Sequence, residues 1–174
     1  PSLIVQHTKL VKEVVVPLAV FSWVTVFSSM LQLLLSALIL VVVTVVYMGN
    51  FFFSIIAFPV VVLAFIPFLL GACWFLSSVG VYLRDLGQVV TLVINLCLFL
   101  SPIFYPASAL PGYLGDLMWL NPLTLIIEQA RLVLVVGVWP DWVALLVYAV
   151  ISSGFAMLGY LWFQRARKGF ADVL

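Results

Sequence analysis

Hydrophobic residues fill long unbroken stretches of this chain, and polar residues are confined to short segments between them. Four stretches are long enough to cross a bilayer as an α-helix, which takes about 20 mainly apolar residues. They cover residues 18–46, 51–83, 86–104 and 142–163. None has the alternating apolar and polar positions of a β-barrel strand. The pattern therefore predicts an all-α integral membrane protein, a polytopic bundle with four transmembrane helices.

Proline and glycine mark the positions where these helices should bend or end. A short turn at residues 48–50 follows the first stretch, and the third stretch stops at Ser101-Pro102. The second stretch contains Pro59 and Pro67 and is longer than one straight crossing requires. Because proline removes a hydrogen bond from a helix interior, we expect this span to be kinked or partly re-entrant.

The connection formed by residues 105–141 is too apolar for a solvated loop. Its part from Pro122 to Val136 has helical character, and Glu128 and Arg131 have the i, i+3 spacing of a local ion pair. We therefore expect short re-entrant gate helices on the outer side of the membrane, tolerated because protein buries their ends. A pair of flat interfacial helices that only anchors the protein is the alternative.

The few charged residues indicate how the chain is oriented. Only 7% of the 174 residues are charged, against about 25% in soluble domains. Six of the seven basic residues flank alternate span ends, and Arg131 is the seventh. The six are Lys9, Lys12, Arg84, Arg165, Arg167 and Lys168. Because basic residues concentrate on the cytoplasmic side, we expect both chain ends and the Arg84-Asp85 turn there, with residues 105–141 outside.

The composition indicates no catalytic or metal site. His7 is the single histidine, Cys73 and Cys97 lie inside apolar runs, and no Cys, His, Asp or Glu cluster has metal-ligand spacing. No glycine-rich phosphate loop followed by Lys-Ser or Lys-Thr occurs, so ATP would have to be used by another chain. The net charge of +1 does not indicate binding to nucleic acid, which requires a concentration of basic residues.

Several short motifs, in a specific order, resemble the permease subunits of type-2 ABC exporters. They are Leu10-Val11-Lys12, Pro17, Leu83-Arg84-Asp85-Leu86, Phe99 through Pro106, Leu110-Pro111, Asn121-Pro122, Arg131 and Phe170-Ala171-Asp172. The resemblance extends along nearly the whole chain and is closest to the branch that exports polysaccharides such as O-antigen. It implies a non-enzymatic transport subunit for lipid-linked polysaccharide in the bacterial inner membrane. A permease for small hydrophobic drugs or lipids is the alternative.

Permeases of this family have six spans, an N-terminal interfacial helix and two gate helices before the last span. The resemblance implies that the interfacial helix and the first two spans are absent here, in agreement with a start at Pro1 rather than Met. It further implies a homodimer of permeases in membrane lipid and two copies of a separate ATPase, which binds ATP and Mg²⁺. No cofactor is expected in this chain.

The segment of residues 1–16 is expected in the cytoplasm, and the resemblance makes its amphipathic part a coupling helix in a groove of the ATPase. Lys9, Lys12 and Glu13 would supply polar contacts and Leu10 an apolar anchor. Alternatively, the two lysines bind lipid headgroups.

Two further groups of residues have candidate roles. At the inner turn, Arg84 and Asp85 would contact the ATPase or the entering substrate, unless they only cap and anchor a helix. Trp23 and Phe27 lie one helical turn apart, and with Gln32 they are candidates to line a conduit, because aromatic faces stack on sugar rings. Lipid-facing or packing roles are the alternative.

The resemblance assigns the outer gate to Ser101, Pro102, Tyr105, Pro111, Asn121, Pro122 and Arg131.

Overall fold

The computed structural model describes residues 19–48, 52–83, 85–103 and 121–167. Within these ranges the chain is mainly helical and has no strand. The helices are α1 (Ala19–Met48), α2 (Phe58–Tyr82), α3 (Leu86–Phe99), α4 (Pro122–Arg131) and α5 (Trp142–Ala166). A 3-10 helix (Phe53–Ala57) precedes α2, and a π-helical turn (Leu132–Val136) continues α4. The predicted all-α class is confirmed.

Three helical stretches among the described residues are long and apolar enough to cross a membrane. They are Ser22–Tyr47, Phe53–Tyr82 and Trp142–Ala166, which agree with the first, second and fourth predicted spans. In the second stretch 39% of the most apolar window is buried, compared with 11% and 17% in the others. The second stretch is therefore the most buried of the three, and most of α1 and α5 is exposed.

The predicted third span, residues 86–104, is shorter in the structure. The 14 residues of α3 rise about 21 Å at 1.5 Å per residue, less than the hydrocarbon thickness of about 30 Å. The helix ends at Phe99, and the chain turns through residues 100–103 with Ser101 and Pro102 fully buried. Pro102 has no N–H to extend the helical ladder. The helix thus ends two residues before the predicted stop at Ser101-Pro102.

The second span is a composite of two helix types. Phe52 is extended, with φ −93° and ψ 123°, and the 3-10 helix leads from it into α2. Pro59 lies in the first turn of α2, where its fixed φ is compatible with a helix. Pro67 lies inside α2. The chain turns after the end of α2, where the Leu86 N–H donates to the Leu83 carbonyl at 3.2 Å.

The described residues fall into two compact units. Unit 1 lies within residues 1–31, 65–91 and 149–174, and unit 2 within residues 32–64 and 92–148. In unit 1, α2 and α5 approach each other closely at glycine. A Cβ added to Gly159 would lie 2.6 Å from the Gly71 carbonyl oxygen, and one added to Gly71 would lie 2.9 Å from the Ala156 Cα. The two backbones are therefore in direct contact, as small residues permit in membrane helices.

The contacts between α2 and α5 show that the two helices are parallel. In order along both helices, Gly71 lies against Gly159, the Phe75 ring is 6.0 Å from the Trp162 ring, and the Tyr82 hydroxyl donates to the Ala166 carbonyl at 3.0 Å. The carboxyl ends of α2 and α5 consequently lie on one side of unit 1. The first part of α1 belongs to the same unit, with Trp23 packed edge-on against Trp74 at 6.2 Å.

The glycine contact gives a testable consequence for stability. We expect Gly159→Ala to destabilise the purified protein by about 1–3 kcal/mol, because the new methyl group meets backbone atoms that cannot move aside. Gly154→Ala on the same helix is the matched control, since a Cβ there meets nothing within 4 Å. The stability of both variants is measured by heating them in detergent and monitoring the loss of the folded peak by size-exclusion chromatography. Equal melting of the two variants would contradict the contact.

Candidate gate site between α3 and α4

The end of α3 is joined to the start of α4 by Asn121. Its side-chain oxygen accepts from the Leu123 N–H at 3.0 Å and so caps α4. Its Nδ2 donates to the Cys97 carbonyl at 3.1 Å and to the Ser101 hydroxyl at 2.8 Å. That hydroxyl in turn donates to the Cys97 carbonyl at 2.6 Å. Asn121 is only 6% exposed, so one buried amide satisfies polar groups of both helices.

Arg131 makes a second connection between the same two elements. Its Nη2 donates to the carbonyls of Pro102 and Ile103, and its Nη1 donates to Glu128 Oε1 at 3.1 Å. The predicted Glu128–Arg131 ion pair is confirmed, with side chains 21% and 25% exposed. The two carbonyls belong to the turn that follows α3, where the helix dipole favours a cation. We call Ser101, Pro102, Asn121, Glu128 and Arg131 the junction cluster.

The far end of α4 is fixed to the start of α5. The side-chain oxygen of Gln129, a buried residue, accepts from the Asp141 N–H at 2.8 Å. Asp141 itself caps α5, since its Oδ1 accepts from the N–H groups of Val143 and Ala144 at 3.0 and 3.1 Å. Asp141 is thus a structural cap whose backbone is bound to α4.

The π-helical turn after α4 packs on the 3-10 helix before α2. The buried Ser54 hydroxyl donates to the Val133 carbonyl at 2.9 Å. Gly137 ends the turn at φ +80°, a left-handed conformation that favours glycine. The Phe52 ring occupies the place where a Cβ of residue 137 would lie. The short helix is therefore held along its whole length, and the left-handed backbone at its end favours glycine.

The structure brings together five of the seven residues predicted for the outer gate. Asn121 donates to Ser101, and Arg131 donates to Pro102. Pro122 occupies the first turn of α4, beside the capping Asn121. The remaining two, Tyr105 and Pro111, and the first of the two expected short helices lie outside the described residues. The helical prediction for Pro122 to Val136 is confirmed.

The other candidate residues are not part of this cluster. Trp23, Phe27 and Gln32 are exposed on α1, and Asp85 is exposed in the turn before α3. Among the described residues no three His, Cys, Asp or Glu side chains are grouped to hold a metal ion. The predicted coupling residues Lys9, Leu10, Lys12 and Glu13, and the side chain of Arg84, lie outside the described residues.

Comparison with known proteins identifies the family. The sequence profile of the ABC-2 type transporters matches residues 1–135, which is more than three quarters of the chain and includes α4. The chain belongs to the ABC-2 type transporter family. It is also similar to the O-antigen export system permease protein RfbA of Myxococcus xanthus, with 25% identity over 175 residues. That alignment covers 99% of this chain and 67% of the relative.

Sequence reasoning missed two features of this ABC-2 membrane domain. One is the hydrogen bond from the Asp141 N–H to Gln129. The capping role of Asp141 itself had a signal in the sequence, because an Asp directly before an apolar run is typical of a helix cap. The close approach of α2 and α5 at Gly71 and Gly159, with Ala156 as one of its contacts, was also not predicted. Glycines within long apolar runs were the available signal.

The amide of Asn121 gives a test of the junction cluster. Asn121→Asp keeps a capping oxygen of similar quality, but it removes the two donors and sets a carboxylate beside the Cys97 carbonyl. We expect a loss of about 1–3 kcal/mol in the free energy of unfolding of the purified permease. In that background, Ser101→Ala should cost less than it does alone, because the shared bond is already lost. Stability equal to the parent protein would contradict the geometry.

The guanidinium of Arg131 gives a second, independent test. Arg131→Lys should lower stability by about 1.5–3 kcal/mol, because one ammonium group cannot reach two carbonyls and a carboxylate at the same time. Glu128→Gln removes the partly exposed ion pair and should cost about 0.2–1 kcal/mol. Denaturant unfolding measures both variants. If Glu128→Gln proves as costly as Arg131→Lys, the carbonyl bonds do not stabilise the site.

Proposed function

We propose that this chain is the membrane part of a permease that exports lipid-linked polysaccharide, with energy from ATP hydrolysed by a separate ATPase subunit. The observation that carries the proposal is the similarity to an O-antigen export permease over 99% of the chain. Membership of the ABC-2 family already makes the chain a transport subunit. The polymer and its lipid carrier are the proposed cargo.

The proposed orientation places the shared end of α1, α2 and α5 in unit 1 at the cytoplasm of a bacterial inner membrane. Arg165 lies in the last turn of α5 and Arg167 directly follows the helix. In sequence, Lys9 and Lys12 precede α1 and Arg84 follows α2. Since all these basic residues adjoin one side of the helices, the positive-inside rule favours that side as the interior.

In this orientation the junction cluster would act as the outer gate. The bonds from Asn121 and Arg131 hold α4 against the end of α3. A polymer leaving on this side would require α4 to move, and each junction bond that breaks must be replaced by a bond to water or to substrate. Sugar hydroxyls are suitable replacements, because they both donate and accept hydrogen bonds.

The complex is proposed to contain two copies of the permease and two copies of the ATPase. Only 11% of the most apolar window of α1 is buried, and none of the residues of α3 is buried, which leaves large apolar faces for lipid or a second permease. ATP and Mg²⁺ would be bound by the ATPase, and residues 4–16, with Lys9, Leu10, Lys12 and Glu13, would transmit its movement.

The proposed conduit surface is formed by Trp23, Phe27 and Gln32 on α1. Phe27 is 64% exposed, and no aromatic ring contact involves it among the described residues. Trp23 is 44% exposed and one edge packs against Trp74. Phe27 is therefore the residue with which a sugar contact is best tested, because its replacement disturbs less packing.

The proposal is tested by reconstituting the permease with its ATPase in liposomes and measuring ATP hydrolysis. We expect stimulation by lipid-linked O-antigen polysaccharide and none by the same lipid carrier without glycan. Stimulation by small hydrophobic drugs, without an effect of the glycan, would show the alternative permease class instead. No stimulation by either would refute transport of both cargoes.

The same liposomes test the conduit. Phe27→Ala should slow export of the polymer several-fold without changing basal ATP hydrolysis, because a stacking surface for sugar rings is lost. Leu40→Ala is the control: it is also exposed, at 41%, and lies about 140° from Phe27 and about 80° from Gln32 around α1. Equal export rates for Phe27→Ala and the parent protein would remove this face from the conduit.

A further inference from the structure

Unit 1 contains an apolar cleft of about 360 Å³ between α2 and the last turns of α5. Its lining includes Phe75 from α2 and Phe155, Leu158, Leu161, Trp162 and Arg165 from α5. Five of these six residues are large hydrophobic side chains that remain between 39% and 68% exposed. The cleft thus opens on the surface of the unit, and its volume is within the range of about 300–1,000 Å³ typical of ligand sites.

The shape of the cleft follows from the parallel packing of the two helices. At Gly71 and Gly159 the backbones touch. One turn further on, the rings of Phe75 and Trp162 lie between the helices, and their centroids are 6.0 Å apart. Beyond them the Tyr82 hydroxyl donates to the Ala166 carbonyl. The cleft therefore begins at the glycine contact and widens toward the charged end of the helices.

Arg165 provides a cation at this wider end. It is exposed in the last turn of α5, a helix about 37 Å long at 1.5 Å per residue, and so it lies near the depth of the lipid headgroups. In the part of unit 1 that the structure describes, Asp85 is the one acidic residue, and it forms no ion pair with Arg165. The cleft therefore joins an apolar wall to a positive charge that has no acidic partner among the described residues of unit 1.

We propose that this cleft is a binding site for an anionic glycerophospholipid, whose acyl chain lies between Phe75 and Trp162 and whose phosphate is bound by Arg165. A lipid is the occupant that complements both features at once: hydrocarbon for the aromatic wall and a negative headgroup for the guanidinium. The indole of Trp162 lies at the boundary between them, where tryptophan is favoured in membranes. The site does not depend on which cargo the permease exports.

The experiment measures lipid binding to the purified complex of permease and ATPase by fluorescence quenching. Brominated phosphatidylglycerol or brominated phosphatidylcholine is titrated in detergent, and the signal of Trp162 is obtained by subtracting the signal of the Trp162→Phe variant. We expect phosphatidylglycerol to quench Trp162 at about three- to tenfold lower concentration, from one guanidinium–lipid interaction. Arg165→Gln should remove this difference. Arg167→Gln removes the same charge two residues away, outside the cleft lining, and should preserve it.

Three outcomes would overturn the proposal. Equal quenching by the two lipids shows no anionic site, and equal loss in Arg165→Gln and Arg167→Gln shows only general attraction to the surface. Absence of quenching by either lipid shows that protein covers the cleft. In a competition experiment, phosphatidylglycerol without bromine should reverse the quenching. Reversal by polyprenyl pyrophosphate alone would also overturn the proposal, because it would assign the cleft to the lipid carrier of the cargo. These results are independent of the export assay.

Discussion

A backbone amide or carbonyl without a partner inside a membrane costs several kcal/mol, and this constraint governs where the helices of this protein end. The chain ends α3 after 14 residues and starts α4 within one compact unit. Both interruptions are possible because Asn121 and Arg131 supply hydrogen bonds to the groups at the two helix termini. The polar side chains of this unit thus make irregular backbone tolerable at positions where apolar residues would not.

Packing in the other unit has a different physical origin. Lipid is as apolar as leucine, so hydrophobic burial gives little reason for two membrane helices to associate. Here the absence of side chains at Gly71 and Gly159 lets the backbones of α2 and α5 touch, which gains dispersion contacts along both helices. The aromatic pairs that follow, among them Trp74 and Tyr160 at 5.1 Å, then fill the space as the helices separate.

Local patterns in the sequence predicted much of the fold, whereas contacts between distant residues were not predictable from them. Runs of apolar residues predicted the long helices, and a three-residue spacing predicted the Glu128–Arg131 pair. The bond from Arg131 to Pro102 joins residues 29 positions apart, and no periodicity encodes it. The end of α3 was placed too late because apolar character continues past Phe99, although the backbone already turns there. The resemblance to a family indicated the gate residues, but not how they bond.

The short link after the π-helical turn limits how α4 can move. From Gly137 to the cap of α5 at Asp141 there are only five residues, which span at most about 17 Å when fully extended. The first residue of this tether is fixed in a left-handed conformation against Phe52, and the last is bound by Gln129. Such a tether has almost no slack. Any large swing of α4 must therefore carry the beginning of α5 with it, so that the short helix and the first turns of α5 move together.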